Sequence, residues 1–214
     1  LGRNILARLV RGAANTFRIS FLAALLVTVA AFPIGWLAGW LARRRWSAHI
    51  LSDLLLLPAD ALLLFPAVGA YMLFYIGNLD FIRQQGASIL PILLFLVAVV
   101  LPRATRFMAA AWASAPAGAG ILRFLKAGFS LFIGALFSVF ALLTAVSFIG
   151  FGPRPPLTTL GGELAEMFHI AFAGGWTPLI VTVSLTAFFL WVLFLAAEAL
   201  LEGWQDKGAF SCSF

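Results

Sequence analysis

Apolar residues run in long unbroken blocks along this chain, and the polar residues fall in short clusters between them. The blocks cover about 15–41, 51–76, 88–101, 129–148 and 176–199. Most approach the roughly 20 residues that a helix needs to cross about 30 Å of hydrocarbon. Their apolar positions are continuous rather than alternating, which predicts helices and argues against a β-barrel. The expected fold class is therefore all-α, a polytopic membrane helix bundle with five spans.

The most informative interruption is Ser147-Phe-Ile-Gly-Phe-Gly-Pro-Arg-Pro-Pro-Leu-Thr-Thr-Leu-Gly-Gly-Glu-Leu164. Gly150, Gly152, Pro153, Pro155 and Pro156 cannot continue a helix. A rigid loop between two spans, at one water interface, is expected there. An amphipathic segment follows at 162–173 with Glu163, Glu166 and His169. At the start of the chain, Arg3, Arg8, Arg11 and Arg18 fall on one arc at helical pitch, opposite Leu1, Ile5, Leu6, Leu9 and Val10. This predicts an amphipathic helix over 1–18 that lies in the membrane interface rather than crossing it.

Two carboxylates fall in the second block. Asp53 stands near its start, where it can cap the helix. Asp60 follows Pro58 inside a leucine-rich run, where an ionisable group should face the bundle interior or a wet path. It serves either a translocation path or a structural partner such as the backbone freed by Pro58. The third block should continue as helix through Arg103 and Arg106, and residues 112–128 read as a turn and short helix on the same basic side. Residues 208–214 form a tail.

Composition sharpens this picture. The chain is 63% hydrophobic and 10% charged, with a mean hydropathy of +1.06, whereas soluble domains carry about a quarter charged residues. The net charge of +6 resides in basic residues that flank the apolar blocks. It reads as topology signals and lipid-headgroup contacts, not nucleic-acid binding. Placing Arg43–Arg45, Arg103, Arg106, Arg123, Lys126 and Lys207 inside leaves eight basic residues there against six outside. Cys212 is the single cysteine, so no intrachain disulfide and no cysteine metal site is expected. His49 reads as an interfacial residue. No nucleotide-binding loop, zinc spacing or Ser/His/Asp set stands in the chain, so an enzyme activity of its own, a cofactor and a metal site are not expected. The chain begins at Leu1 with no signal-peptide layout, and a further span upstream is expected.

Several segments resemble the permease subunits of dipeptide/oligopeptide/nickel-type ABC importers, of the C-subunit kind. Leu1-Gly-Arg-Asn-Ile-Leu-Ala-Arg-Leu-Val-Arg-Gly-Ala13 is similar to the family's "LGRDVLSRLIYGA", and Ser147-Phe-Ile-Gly-Phe-Gly-Pro-Arg-Pro-Pro156 to its "SFLGLGVQPP". Leu160-Gly-Gly-Glu-Leu-Ala-Glu166 resembles "WGAMLAE", and Glu198-Ala-Leu-Leu-Glu-Gly-Trp-Gln-Asp206 resembles "NLLGDGLRD". Pro102-Arg-Ala-Thr-Arg106 resembles "PGYAR". The matches lie in the family's order over nearly the whole chain.

The resemblance implies a type I importer fold in a prokaryotic cytoplasmic membrane, with the family's first helix upstream. It implies an extracytoplasmic helix at 1–18, a permease domain at 19–207, an extracytoplasmic gate loop at 147–175 and a cytoplasmic coupling loop at about 107–130. A second homologous permease, two ATPase subunits carrying ATP and Mg, and an extracytoplasmic substrate-binding protein would complete the complex. Within it, Gly118, Ile121, Leu122, Arg123 and Lys126 are the expected ATPase-docking residues. Phe148, Phe151, Arg154 and Glu163 are expected at the gate and receptor contact; Asp60, expected in the path from its place inside a span, departs from the family, which usually has an apolar residue after this proline. The chain departs from the family in the coupling loop. Trp112-Ala-Ser114 stands where an acidic "EAA" segment belongs, and the stretch from Pro102 to Ser147 is shorter than usual. The alternatives are a membrane scaffold that has lost coupling and an ion-coupled carrier using Asp60.

Overall fold

The computed structural model describes residues 2–42, 56–57, 66–77, 89–114, 121–153, 157–172 and 176–205. Six helices account for nearly all of them: α1 (Gly2–Ala42), α2 (Ala67–Gly77), α3 (Leu90–Ala113), α4 (Ile121–Ile149), α5 (Leu160–Phe172) and α6 (Trp176–Gln205). No strand occurs among the described residues. The segments Leu6–Ala42, Leu90–Ala113 and Phe124–Ile149 are long and apolar enough to cross a membrane. The all-α membrane-bundle expectation stands at that level.

Three expectations change in detail. The first concerns 1–18, which is not a separate interfacial helix: α1 runs unbroken through 41 residues, a length of about 60 Å at 1.5 Å per residue. A helix stops at a cap, a glycine or a proline that frees backbone groups, and an arginine such as Arg18 supplies none of these. Pro33 lies inside α1 on its exposed side and does not end it. The expected apolar face also divides, since Leu9 is buried in the bundle while Leu6 and Val10 are exposed. The second concerns residues 121–128, which are not a separate short helix but the first turns of α4. The third concerns the second block, whose described residues are helical at 56–57 and at Ala67–Gly77, with Pro66 outside the helix. By contrast, α3 continues through Arg103 and Arg106 to Ala113 as expected.

The bundle is built on α1, α3 and α4. Ile19, Ala23, Ala24, Val27 and Ala31 of α1 enter one core with Leu96, Val100 and Met108 of α3 and Val139, Leu143 and Val146 of α4. Tyr71 and Tyr75 bring α2 into the same core. A second, smaller core joins Leu9 and Ala13 of α1 to Phe140 of α4 and Leu160 of α5, with Leu185 and Leu190 of α6 against it. Large apolar side chains point the other way. Phe21, Leu25 and Val29 of α1 and Phe188, Trp191 and Leu195 of α6 are exposed. Small residues inside and large apolar residues outside is the arrangement expected when lipid surrounds the bundle, since close backbone packing then replaces the hydrophobic drive between helices.

The tightest approach follows from Gly35-Trp-Leu-Ala-Gly39. A Cβ on Gly39 would lie 2.5 Å from the Trp112 Cβ and 2.7 Å from the Ala109 carbonyl oxygen. One on Gly35 would lie 3.0 Å from the Thr105 carbonyl oxygen and also collide with the Met108 Cβ. These two glycines, one turn apart, let the backbone of α1 rest on α3. Two buried threonines are satisfied within their own helices, Thr144 donating to Phe140 O and Thr186 to Thr182 O, each at 2.8 Å, whereas the buried Ser20 and Ser147 hydroxyls meet no partner among the described residues.

Candidate functional site

Helix α4 ends at a defined stop. Gly150 adopts φ +102°, its amide donates to Ser147 O at 3.2 Å, and the Phe151 amide donates to Val146 O at 3.0 Å. This pair of reversed hydrogen bonds around a left-handed glycine is the Schellman arrangement. It caps the last carbonyls of α4 and turns the chain outward. The turn is then held by α2. The Tyr71 hydroxyl donates to Phe151 O at 3.1 Å, and the Phe151 ring meets Tyr75 edge-on at 5.2 Å.

The returning segment is held by α1. The Asn15 side-chain amide donates to Thr158 O at 3.0 Å, and the Leu160 amide donates to the Thr16 hydroxyl at 2.9 Å. Thr16 thus satisfies one of the free amides that open α5, while Thr159 accepts from the Gly162 amide at 3.3 Å as a local N-cap. Gly12 leaves room for this contact, since a Cβ there would lie 3.2 Å from the Thr159 carbonyl carbon and 3.3 Å from Glu163 Cγ. One turn before Gly12, Arg8 faces α5. Its Nη2 lies 3.0 Å from Glu163 Oε2 and also hydrogen-bonds Glu166. The Glu163 side chain is 2% exposed, and among the described residues no donor is aligned on Oε2. One guanidinium therefore serves two carboxylates, aligned on Glu166 and by charge proximity on the buried Glu163.

The expected gate residues separate accordingly. Phe151 is packed into the turn, and Phe148 is exposed with its ring edge-on to Phe168 at 5.9 Å. Glu163 is an internal partner of α1 rather than exposed surface, and Arg154 lies outside the described residues. Arg8, Gly12, Asn15 and Thr16 were not singled out as gate residues. Their spacing of four, three and one places them on one side of α1, and that spacing was the available signal.

At the other end of α4, the hairpin joining α3 to α4 is closed by Trp112 stacked on Phe124, with centroids 3.4 Å apart, and by Trp36 edge-on to Trp112 at 6.1 Å. Ile121, Leu122 and Arg123 occupy the first turn of α4, and Lys126 follows, partly buried. Gly118 lies outside the described residues, as does Asp60. The clasp and the hairpin are separated by the 29 residues of α4, about 43 Å of helix.

Between these ends, α2, α3 and α4 enclose a cleft of about 670 Å³. Small residues of α4 form one wall, among them Gly134, Ala141 and Ala145; Val99, Arg103 and Phe107 of α3 form another, and Ala67 and Val68 of α2 complete it. Among the described residues of the lining, Arg103 is the one that carries a charge, and Ser130 and Ser138 carry hydroxyls. No group of three or more metal-type side chains is present among the described residues.

The chain matches no protein-family model, and no curated protein matches it.

Proposed function

We propose that the chain is a transmembrane permease subunit of an ATP-binding-cassette importer, moving a peptide-like solute or a metal complex by alternating access. Separate ATPase subunits, a second permease and an extracytoplasmic binding protein complete the machine. The observation that supports this reading best is the clasp. Leu1–Ala13 and Ser147–Glu166 carry the family resemblance independently, and Arg8 and Gly12 of the first meet Glu163 and Glu166 of the second. A gate helix carried on α1 at one end, and a basic helical hairpin at the other, suit a protein that couples events on two sides of a membrane. Transport then requires that ATPase binding and solute binding favour different arrangements of the bundle.

A second reading draws on the hairpin. Ile121–Lys126 belong to α4 itself and Trp112 of α3 stacks on Phe124 of α4, so a scaffold without ATPase coupling also has support. Affinity purification of the tagged chain together with candidate ATPase subunits separates the two. A stable stoichiometric complex supports the permease, and absence of any association supports the scaffold.

A further inference from the structure

We infer that the cleft between α2, α3 and α4 binds a solute with an apolar body and a single anionic group, and that Arg103 receives the anion. Calling the occupant a solute rests on the transport reading; the site itself rests on geometry and charge. Its volume of about 670 Å³ falls in the range of roughly 300–1,000 Å³ typical of small-molecule sites. Its walls are apolar or small, which suits an apolar body. Among the described residues, Arg103 contributes the only charge in the lining and forms no ion pair. Arg103 is exposed, in the part of α3 that continues past the apolar block, and a carboxylate or phosphonate at this edge of the cleft pairs with it through a two-pronged hydrogen bond.

The serines extend the same chemistry. Ser138 donates to Gly134 O at 2.9 Å, which commits its proton to the helix and leaves oxygen lone pairs facing a ligand's N–H groups. Gly134, Ala141 and Ala145 keep that wall of α4 free of bulk, and the Phe107 ring offers an apolar face on the opposite side. Charge also decides between the solute classes of the transport reading. A guanidinium disfavours a cationic metal complex and attracts a peptide-like carboxylate, so between those two the cleft suits the second.

The test uses the full chain in phosphatidylcholine nanodiscs and two probes that differ only in charge, N-acetyl-phenylalanyl-phenylalanine and its C-terminal amide. Calorimetry is expected to show the acid binding about tenfold or more tightly than the amide. Arg103→Gln should erase that preference, Arg103→Lys should keep part of it, and Ala141→Trp should abolish binding of both by filling the cleft. Equal binding of acid and amide, or a preference that survives Arg103→Gln, overturns the assignment. So does displacement of the acid by phosphatidylglycerol added to the nanodisc, which would make the cleft a lipid site. No ATPase is needed for the measurement. Failure of binding with ATPase association intact removes only the solute class, while binding without any ATPase association removes the transport reading and leaves the site.

Discussion

Arg8 of α1 and Glu163 of α5 are 155 positions apart in the chain, yet the guanidinium Nη2 lies 3.0 Å from the carboxylate oxygen of a glutamate that is 2% exposed. The pair joins the start of the chain to the helix that follows the α4 stop. Removing Arg8 leaves Glu163 buried without its counter-charge. Breaking a fully buried pair costs about 3–5 kcal/mol. Arg8 is 40% exposed, so solvent screening lowers the expected loss for Arg8→Met to about 1–2 kcal/mol. The apparent melting midpoint in detergent should fall, and adding Glu163→Gln should recover part of the loss. Glu166 is half-exposed, and Glu166→Gln alone should shift the midpoint little. An equal loss from Glu166→Gln would mean that the exposed pair, not the buried one, holds the clasp.

Close packing of α1 on α3 predicts a contrast between glycines. Gly39→Leu forces a side chain into Trp112 and the Ala109 carbonyl, so α1 must move away from α3. Low yield and loss of a monodisperse peak are expected on size-exclusion chromatography. Gly134→Ala adds a methyl that meets nothing within 4 Å. It should be neutral or stabilise α4 by about 0.5–1 kcal/mol, because glycine costs more backbone entropy than alanine in a helix. Equal tolerance of both substitutions would contradict the glycine contact.

The α4 stop predicts a coupled pair of small effects. Gly150→Ala places a Cβ at φ +102° and should cost about 1 kcal/mol. Tyr71→Phe removes the hydrogen bond to Phe151 O while keeping the ring, which should cost about 0.5–1.5 kcal/mol. Both changes act on one turn, so the double variant should lose less than the two single losses added together. Strict additivity of the melting shifts would show that Tyr71 does not hold this turn.

Much of the bundle could be read from the chain because its signals are local. The apolar run from Leu90 onward predicts a span, and the helix continues past Arg103 and Arg106 to Ala113 with Pro102 inside it rather than at its end. Gly150 and Pro153 likewise mark the end of α4. The continuity of α1 was not legible in the same way. Charges at Arg3–Arg18 beside an apolar block suggest a boundary, but they do not terminate backbone hydrogen bonding. The clasp was hidden because it pairs Arg8 with residues far along the chain. Helical pitch assigns Arg8 to a solvated arc together with Arg11 and Arg18, and only the arrival of α5 turns it inward. The Gly35/Gly39 contact carried a local signal, two small residues one turn apart in an apolar helix. Its partner surface on α3 belongs to tertiary packing.

ATP hydrolysis tests the permease reading most directly. The full chain, its partner permease and the ATPase subunits would be reconstituted in lipid and assayed with and without the cognate binding protein. The account predicts that loaded binding protein stimulates hydrolysis, and that an Arg123→Glu/Lys126→Glu variant at the start of α4 abolishes the stimulation while the complex remains folded by its melting curve. Hydrolysis that is indifferent to this chain, or failure of every ATPase to associate with it, would contradict the account.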